Sequence, residues 1–278
     1  MLNVIGFGTA GCKIAEQFEI YPQYKVHYVD VGRSGDRCHN FPKCTSMEQA
    51  ERKTPKYVRL KKEIIGREII FVCAGSGVTS GGILQTLERL KSFNVTVVYV
   101  RPSSKFMANE AKLREGAVFH VLQQYARAGL LKKLCLVSNE NVAKMIGPMS
   151  LYEYFSRINE FIRDHINMVQ HIKGMNTSLI NNISEPHEIN RISTVGAFDL
   201  VNQEEKYFFD LENIREKNFF YLIKEQTLKE KNNFLDKIVE LSEQAIESDA
   251  MSVSYSVTPS TYEDDYIFLE VHTNFVQE

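Results

Sequence analysis

Two glycine-rich segments carry the residue types best suited to chemistry in this sequence. Residues 6–11 read G-F-G-T-A-G and match the pattern G-x-G-x-x-G, directly after a short apolar run and before a stretch with helical periodicity. Glycines in such a turn let the backbone approach a phosphate, whose charge is stabilised at the N-terminus of the next helix. Asp30 ends the second predicted strand, where an acidic residue contacts the ribose in dinucleotide-binding folds. This loop predicts phosphate binding and leaves NAD open as the ligand.

The second segment, residues 74–82, reads A-G-S-G-V-T-S-G-G and follows another apolar run. With four glycines, two serines and one threonine in nine residues, it has more such residues than a tight strand-to-helix turn needs, although such a turn remains the alternative. Because a nicotinamide fold has no need for a second loop of this kind, the pair favours a di- or triphosphate. The loop residues expected to hold the ligand are Gly8, Thr9, Ala10, Gly11, Cys12, Gly75, Ser76, Gly77, Val78, Thr79, Ser80 and Gly81.

The elements around these loops predict an α/β protein. Apolar runs at residues 2–6, 25–31, 68–73, 95–101 and 132–138 alternate with helical patterns, which is typical of a Rossmann-like, doubly wound parallel sheet with both faces covered. Three- and four-residue apolar spacing then predicts one long central helix that starts at Gly147 and ends at Gly174. We therefore expect a nucleotide-binding domain over 1–146, the central helix over 147–174 and a smaller α+β domain over 175–278.

In that C-terminal part the pattern predicts helices and strands without strict alternation. A helix is expected to open at Ser184, and a polar turn at residues 259–265 predicts that the last two strands form a hairpin. The remaining expected elements are strands near 195–201, 219–224, 251–258 and 266–275 and a helix at 233–248.

Composition and charge narrow the class of protein. Hydrophobic residues make up 44% and charged residues 24%, as in folded globular proteins, and a net charge of -2 argues against a dedicated binder of polyanions. No apolar run approaches a membrane span, and residues 1–4 lead into a strand rather than a signal peptide, so no membrane partner is expected. The five cysteines are scattered, which favours reduced thiols in a cytoplasm. Because Cys38, His39 and Cys44 match no common zinc spacing, no metal site is predicted.

The order strand, glycine turn, strand, glycine loop, long helix and small second domain resembles the tubulin/FtsZ superfamily over essentially the whole chain. The family's second loop reads G-G-G-T-G-[ST]-G, and residues 75–81 keep its glycine spacing in part. By its length the chain looks most like the compact phage or plasmid tubulin-like proteins, which position or segregate DNA. The resemblance implies GTP and GDP as ligands, Mg2+ as cofactor and head-to-tail self-assembly into cytoplasmic filaments.

Further residues follow the family pattern. Phe106, Glu110 and Arg114 look like its F…E-x-x-x-R segment, in which the acid and the arginine reach the ribose and phosphates; an intrahelical ion pair is the alternative. Phe155 and Asn159 resemble an aromatic and an amide that stack on guanine and bind its edge. Core packing of Phe155 and an exposed polar role for Asn159 are the alternatives.

The resemblance also implies that Glu185 and Glu188 form an acid-x-x-acid pair that polarises water on the nucleotide of a neighbouring subunit. Helix capping would explain this segment equally well, because Ser184 and Pro186 are typical of a helix start. The family's loop that senses the γ-phosphate is rich in glycine, whereas residues 44–57 contain none, and Thr45, Ser46 or Thr54 would have to substitute.

The predicted function is a GTPase whose active site is completed by the next copy of the chain in a filament, with a DNA-bound adaptor as a candidate partner. Two alternatives stay open. One is a nucleotide-binding regulator on the same fold that does not polymerise or hydrolyse GTP, and the other is an NAD-type oxidoreductase.

Overall fold

The structure is a computed structural model that describes residues 1–174, 177–230, 234–246, 248 and 250–278. The chain divides into an N-terminal unit, residues 1–163 with 276–278, and a C-terminal unit, residues 164–275. Within the described ranges, no helix combines the length and the apolar character that crossing a membrane requires.

The N-terminal unit contains a sheet of six strands that are all parallel. Their order is β3-β2-β1-β4-β5-β6. This confirms the predicted doubly wound sheet, and β4 has the predicted bounds. The strands are β1 (Leu2–Phe7), β2 (Tyr24–Val31), β3 (Cys38–Phe41), β4 (Glu68–Cys73), β5 (Asn94–Arg101) and β6 (Lys133–Ser138).

The strand order reverses between β1 and β4. The chain runs outward from β1 through β2 to β3, and then crosses back to add β4, β5 and β6 on the other side. In open parallel sheets a crevice forms at this reversal, outside the carboxyl ends of the two strands, and ligands bind there. Both glycine-rich segments follow these two strands, so the fold places them on either side of that position.

Seven helices begin in the N-terminal unit as the structure describes it. Ser46 and Ser138 cap two of them by accepting hydrogen bonds from the backbone N–H of Gln49 and Asn141. They are α1 (Gly8–Glu16), α2 (Met47–Arg52), α3 (Val58–Glu63), α4 (Ile83–Arg89), α5 (Asn109–Arg127), α6 (Asn139–Ile146) and α7 (Tyr154–Gly174).

The central helix α7 begins at Tyr154, later than the predicted start at Gly147. Gly147 adopts a positive φ of 87° directly after α6, and Pro148 follows it. A glycine in this conformation ends a helix, and a proline lacks the N–H that would continue it. The hydroxyl of Ser150 then accepts a hydrogen bond from the N–H of Glu153, one residue before the new helix.

The C-terminal unit contains a mixed sheet in the order β9-β8-β12-β10-β11-β7. It packs with α8 (Glu225–Glu230) and α9 (Phe234–Gln244). The sequence predicted that the helix corresponding to α9 begins at residue 233, which lies outside the described residues. The strands are β7 (Ile180–Asn181), β8 (Ile192–Asp199), β9 (Glu204–Tyr207), β10 (Glu216–Lys224), β11 (Ser252–Ser260) and β12 (Tyr266–Thr273).

The predicted hairpin of the last two strands is wrong, because β10 lies between them. It pairs in parallel with β11 and antiparallel with β12. Eight of the nine residues of β10 are buried, which requires a neighbour on each edge and cover on each face. Its aromatic residues Phe219 and Tyr221 belong to a hydrophobic core cluster of this unit that also includes Ile238 of α9.

The chain returns to the N-terminal unit at its last three residues. The side-chain amide of Gln123 on α5 donates to the backbone carbonyl of Gln277 at 3.0 Å, and its oxygen accepts from the backbone N–H of Gln277 at 2.6 Å. Both residues are buried. This reciprocal pair fixes the tail against α5.

Candidate functional site

The first glycine turn joins β1 directly to the N-terminus of α1. Gly8 has a φ of +69°, and a Cβ atom on Gly11 would lie 2.3 Å from the carbonyl oxygen of Val72 in β4. Glycine is therefore required at both positions, one for the turn and one for the close approach of α1 to β4. The first N–H groups of a helix have no partner within it, and Thr9 and Ala10 are exposed at this end. The turn thus presents backbone donors at the strand-order reversal.

Asp30 is hydrogen-bonded to this turn. The hydroxyl of Thr9 donates to Asp30 Oδ2 at 3.1 Å, and Oδ1 accepts from the N–H of Val31 at 2.8 Å. The carboxylate therefore lies beside the first loop, as the sequence pattern predicts.

Cys12 faces the interior. Its Sγ contacts the carbonyl oxygen of Gly6 at 3.3 Å, and its side chain is fully buried. Burial, together with the negative charge of Asp30, raises the pKa of this thiol to about 12. Only the backbone of Cys12 is placed to contact a ligand.

The second glycine loop is folded tightly on itself. The hydroxyl of Ser80 lies 2.7 Å from the carbonyl oxygen of Gly75 and 2.6 Å from that of Gly77, and residues Val78–Gly82 form a 3-10 helix. A Cβ atom on Gly75 would lie 2.2 Å from the hydroxyl oxygen of Tyr99. The hydroxyl of Ser80 therefore supports the loop, whereas Ser76 and Thr79 are half-buried beside it.

Arg114 connects α5 to the second loop. Its Nε donates to the carbonyl oxygen of Ser76 at 2.9 Å, while its Nη1 lies 3.6 Å from Glu110 Oε2. The ion pair that was the alternative interpretation is present, and the same guanidinium also holds the loop backbone. Glu110 is exposed.

The glycine-free segment 44–57 packs against the second loop. A Cβ atom on Gly81 would lie 2.3 Å from the carbonyl oxygen of Met47, the first residue of α2. The hydroxyls in this segment are used locally: Thr45 bonds to Gln49, Ser46 caps α2, and Thr54 donates to the carbonyl of Ala50. The segment lies against the second loop, and the hydroxyls of Thr45, Ser46 and Thr54 bond within the segment itself.

The aromatic residue expected to contact a base is exposed. Phe155 has 57% of its surface accessible, which rules out the core-packing alternative, and its ring lies 5.2 Å from that of Tyr154. Tyr154 in turn lies 5.9 Å from Phe106. Asn159, one helical turn after Phe155, is half-buried on α7.

One charged residue near this aromatic group, Glu140, was not identified from the sequence. Glu140 follows β6 at the same carboxyl edge of the sheet and accepts hydrogen bonds from the hydroxyl of Ser103 at 2.7 Å and the N–H of Ser104 at 3.2 Å. The hydrogen bond from Ser103 lowers the pKa of Glu140, which keeps it ionised, and burial together with the negative charge of Glu140 raises the pKa of Tyr154. The signal was available, since polar residues directly after parallel strands meet at one edge.

The predicted helix at Ser184 is not formed, which corrects the placement of the two candidate acids. Glu185 and Glu188 are exposed in an irregular segment that follows β7. Pro186 disfavours a helical conformation of Glu185. The N–H of His187 instead donates to the buried Glu216 carboxylate at 2.8 Å, which holds the segment in a non-helical path.

Comparison with known proteins gives structural matches only. No protein-family model matches the chain, and no curated protein matches it significantly. An empty FtsZ dimer from M. jannaschii is 12% identical with a TM-score of 0.68, covering 98% of this chain and 87% of that one.

Two TubZ structures match this chain about as well as the FtsZ dimer does. A GTPγS-form protofilament of TubZ from Bacillus thuringiensis serovar israelensis is 14% identical with a TM-score of 0.71, covering 99% of this chain and 87% of that one. A TubZ of type III plasmid segregation is 14% identical with a TM-score of 0.65, covering 99% and 88%. The chain therefore has the fold of FtsZ and TubZ.

Proposed function

We propose that this chain binds guanine nucleotides and polymerises head to tail into cytoskeletal filaments that hydrolyse GTP. The observation that carries the proposal is the placement of two glycine loops on either side of the strand-order reversal between β1 and β4. Backbone N–H groups at both loops would hold the phosphates, and the N-terminus of α1 would stabilise their charge.

The base would lie against α7. Phe155 is exposed and can stack on a purine, and Asn159 on the same helix face offers both a donor and an acceptor to the guanine edge. Glu110 and Arg114 lie on α5, where Arg114 already contacts the second loop, and would reach the ribose and phosphates. Asp30 would remain beside the first loop through Thr9.

Mg2+ fits the exposed and half-buried side chains at these loops, whose donor atoms are oxygens. Thr9 and Asp30 carry a hydroxyl and a carboxylate at the first loop, and Thr79 carries a hydroxyl at the second. Mg2+ prefers oxygen ligands and commonly takes several of them from phosphates and water. When bound, it would neutralise charge on the β- and γ-phosphates.

Self-assembly is supported by the TubZ protofilament and the FtsZ dimer among the similar structures. A head-to-tail contact that does not close generates an open filament. In such a filament Glu185 and Glu188 of one copy would orient water at the nucleotide of the next, since both side chains are exposed. Because one similar structure comes from plasmid segregation, we further propose that the cargo is phage or plasmid DNA, reached through a DNA-bound adaptor.

A second candidate is a nucleotide-binding regulator that keeps the fold without hydrolysis. The irregular path at Ser184 favours it, because without a helix the two acids do not share a helix face. The glycine-free segment beside the second loop favours it as well.

Binding and assembly are tested separately. Calorimetry should show one GDP or GTP per chain and much weaker binding of ATP and NADH, and Asn159→Asp should reduce the preference for GTP over ATP. Light scattering with GTP and Mg2+, compared with GDP, should show polymers. Absence of guanine-nucleotide binding would end the proposal, whereas binding and assembly without phosphate release would favour the regulator.

A further inference from the structure

Two buried histidines and a glutamate meet on the N-terminal sheet. His27 lies on β2, His39 on β3 and Glu63 at the end of α3. One ligand atom from each lies within 4.8 Å of the other two. The parallel register pairs His39 with Val29, which shares a strand face with His27, so both imidazoles project to the same side of the sheet.

The polar atoms of this group lack ordinary partners. His27 is fully buried and His39 is 8% exposed. Among the described residues, neither nitrogen of His27, nor Nε2 of His39, nor Oε2 of Glu63 has a hydrogen-bond partner. Leaving several buried polar groups unsatisfied is costly, and each such group in a native structure calls for an explanation.

The distances within the group fit ligands around an ion better than hydrogen bonds. Glu63 Oε2 lies 3.4 Å from His39 Nε2 and 3.7 Å from His27 Nδ1. These separations are too long for charge-assisted hydrogen bonds. Two ligands at the usual zinc distances in a tetrahedral site are separated by about 3.3 Å, so small rotations of the imidazoles would complete the geometry.

We propose that His27, His39 and Glu63 bind a divalent transition-metal ion of the Zn2+ class. Two imidazoles and one carboxylate are a donor set that suits Zn2+, Co2+ or Ni2+, and a water would fill a fourth position. Arg59 positions the carboxylate, because its Nε donates to Glu63 Oε1 at 2.6 Å and leaves Oε2 directed to the imidazoles. The positive charge of Arg59 also lowers the affinity of the site for a metal ion, relative to the same three ligands without it.

The bound ion would link β2, β3 and α3, because each of these elements contributes one ligand. The chain between His39 and Glu63 contains α2, whose first residue Met47 lies against Gly81 of the second glycine loop. The metal would therefore fix a segment beside the candidate nucleotide site. Metal binding by these three residues does not depend on nucleotide binding.

The test uses the full-length protein after treatment with a chelator and dialysis. Calorimetry with Zn2+ should show one saturable site per chain, and Co2+ should produce visible ligand-field bands that Zn2+ removes. His39→Gln and Glu63→Gln should each weaken Zn2+ binding by at least about tenfold. His120→Gln removes an exposed imidazole on α5 and serves as the matched control, with unchanged stoichiometry and affinity.

A second measurement covers variants that fold poorly. Because an ion that binds only the folded state raises the melting temperature, Zn2+ should raise that of the wild type and of His120→Gln, and should have no such effect on Glu63→Gln. Equal Zn2+ affinity in the wild type and the Glu63→Gln and His39→Gln variants would overturn the proposal. So would the absence of both Co2+ bands and a Zn2+-dependent shift in the wild type.

Discussion

The guanidinium of Arg114 donates a hydrogen bond of 2.9 Å to the carbonyl oxygen of Ser76, which joins helix α5 to the second glycine loop. This contact assigns Arg114 a role in positioning the loop backbone. It accompanies the ion pair with Glu110, which lies one helical turn away.

Arg114→Ala should therefore weaken GDP binding by about 10- to 100-fold, since hydrogen bonds to charged groups contribute roughly 1.5–3 kcal/mol. The loss arises because the loop must then become ordered when the ligand binds. Calorimetry with GDP measures it. Lys112→Ala, an exposed cation on the same helix, is the control. Equal affinities for the two variants would show that the loop is stable without this contact.

Gly81→Ala should lower the melting temperature of the nucleotide-free protein. The new Cβ atom would lie 2.3 Å from the carbonyl oxygen of Met47, so α2 and the loop must separate at a cost of about 1–3 kcal/mol. Gly77→Ala is the matched control, because among the described residues its Cβ atom would meet only Thr79 Oγ1, at 3.8 Å. Thermal unfolding followed by circular dichroism compares them. If Gly81→Ala has the same melting temperature as Gly77→Ala and the wild type, then α2 does not pack on this loop.

Phe155→Ala should weaken guanine-nucleotide binding by tenfold or more and leave stability nearly unchanged. Stacking of a base on an aromatic ring contributes about 1–3 kcal/mol, whereas an exposed side chain contributes little to folding. Tyr152→Ala, an exposed aromatic just before α7, controls for lost surface area. Fluorescent GDP titration and thermal unfolding provide the two readouts. A large loss of stability with unchanged affinity would assign Phe155 to packing.

Glu185→Gln and Glu188→Gln should each slow GTP hydrolysis while filaments still form. Loss of a general base costs about 10²–10⁴-fold, and the uncharged isostere preserves the shape of the surface. Phosphate release is measured alongside light scattering. Glu263→Gln, an exposed acid in the turn before β12, is expected to behave as the wild type. Normal hydrolysis in both variants would leave the two acids without a catalytic role.

The Cys12 thiol should resist iodoacetamide in the folded protein from pH 7 to 9. Its pKa is raised to about 12, so the thiolate is scarce throughout this range, and burial blocks access as well. Mass spectrometry of labelled peptides compares Cys12 with the half-buried Cys38 and Cys44. Rapid labelling of Cys12 under native conditions would contradict the packing of α1 against the sheet.

The sequence predicted five of the six strands of the N-terminal sheet, because each of the five is a short apolar run that ends at a polar or glycine-containing turn. It missed β3, whose four residues read C-H-N-F and form no apolar run. Such local signals locate a strand such as β4 but do not name its neighbours. The insertion of β10 between β11 and β12 depends on burial across the sheet, which no local pattern encodes.

The same difference between local and long-range signals applies to the candidate site. Glycine spacing located both loops, whereas the helix expected at Ser184 failed because the distant Glu216 takes the N–H of His187. The group formed by His27, His39 and Glu63 is spread over three elements, so each residue looks isolated along the sequence.

The reciprocal hydrogen bonds between Gln123 and Gln277 determine how the N-terminal unit can be produced as a separate fragment. The N-terminal unit is assembled from two stretches of the gene, with the C-terminal unit encoded between them. A polypeptide stopped at residue 163 would leave the amide of Gln123 unsatisfied in the interior. Excising the N-terminal half intact therefore requires splicing the final three residues back on through a linker, or supplying them as a separate peptide.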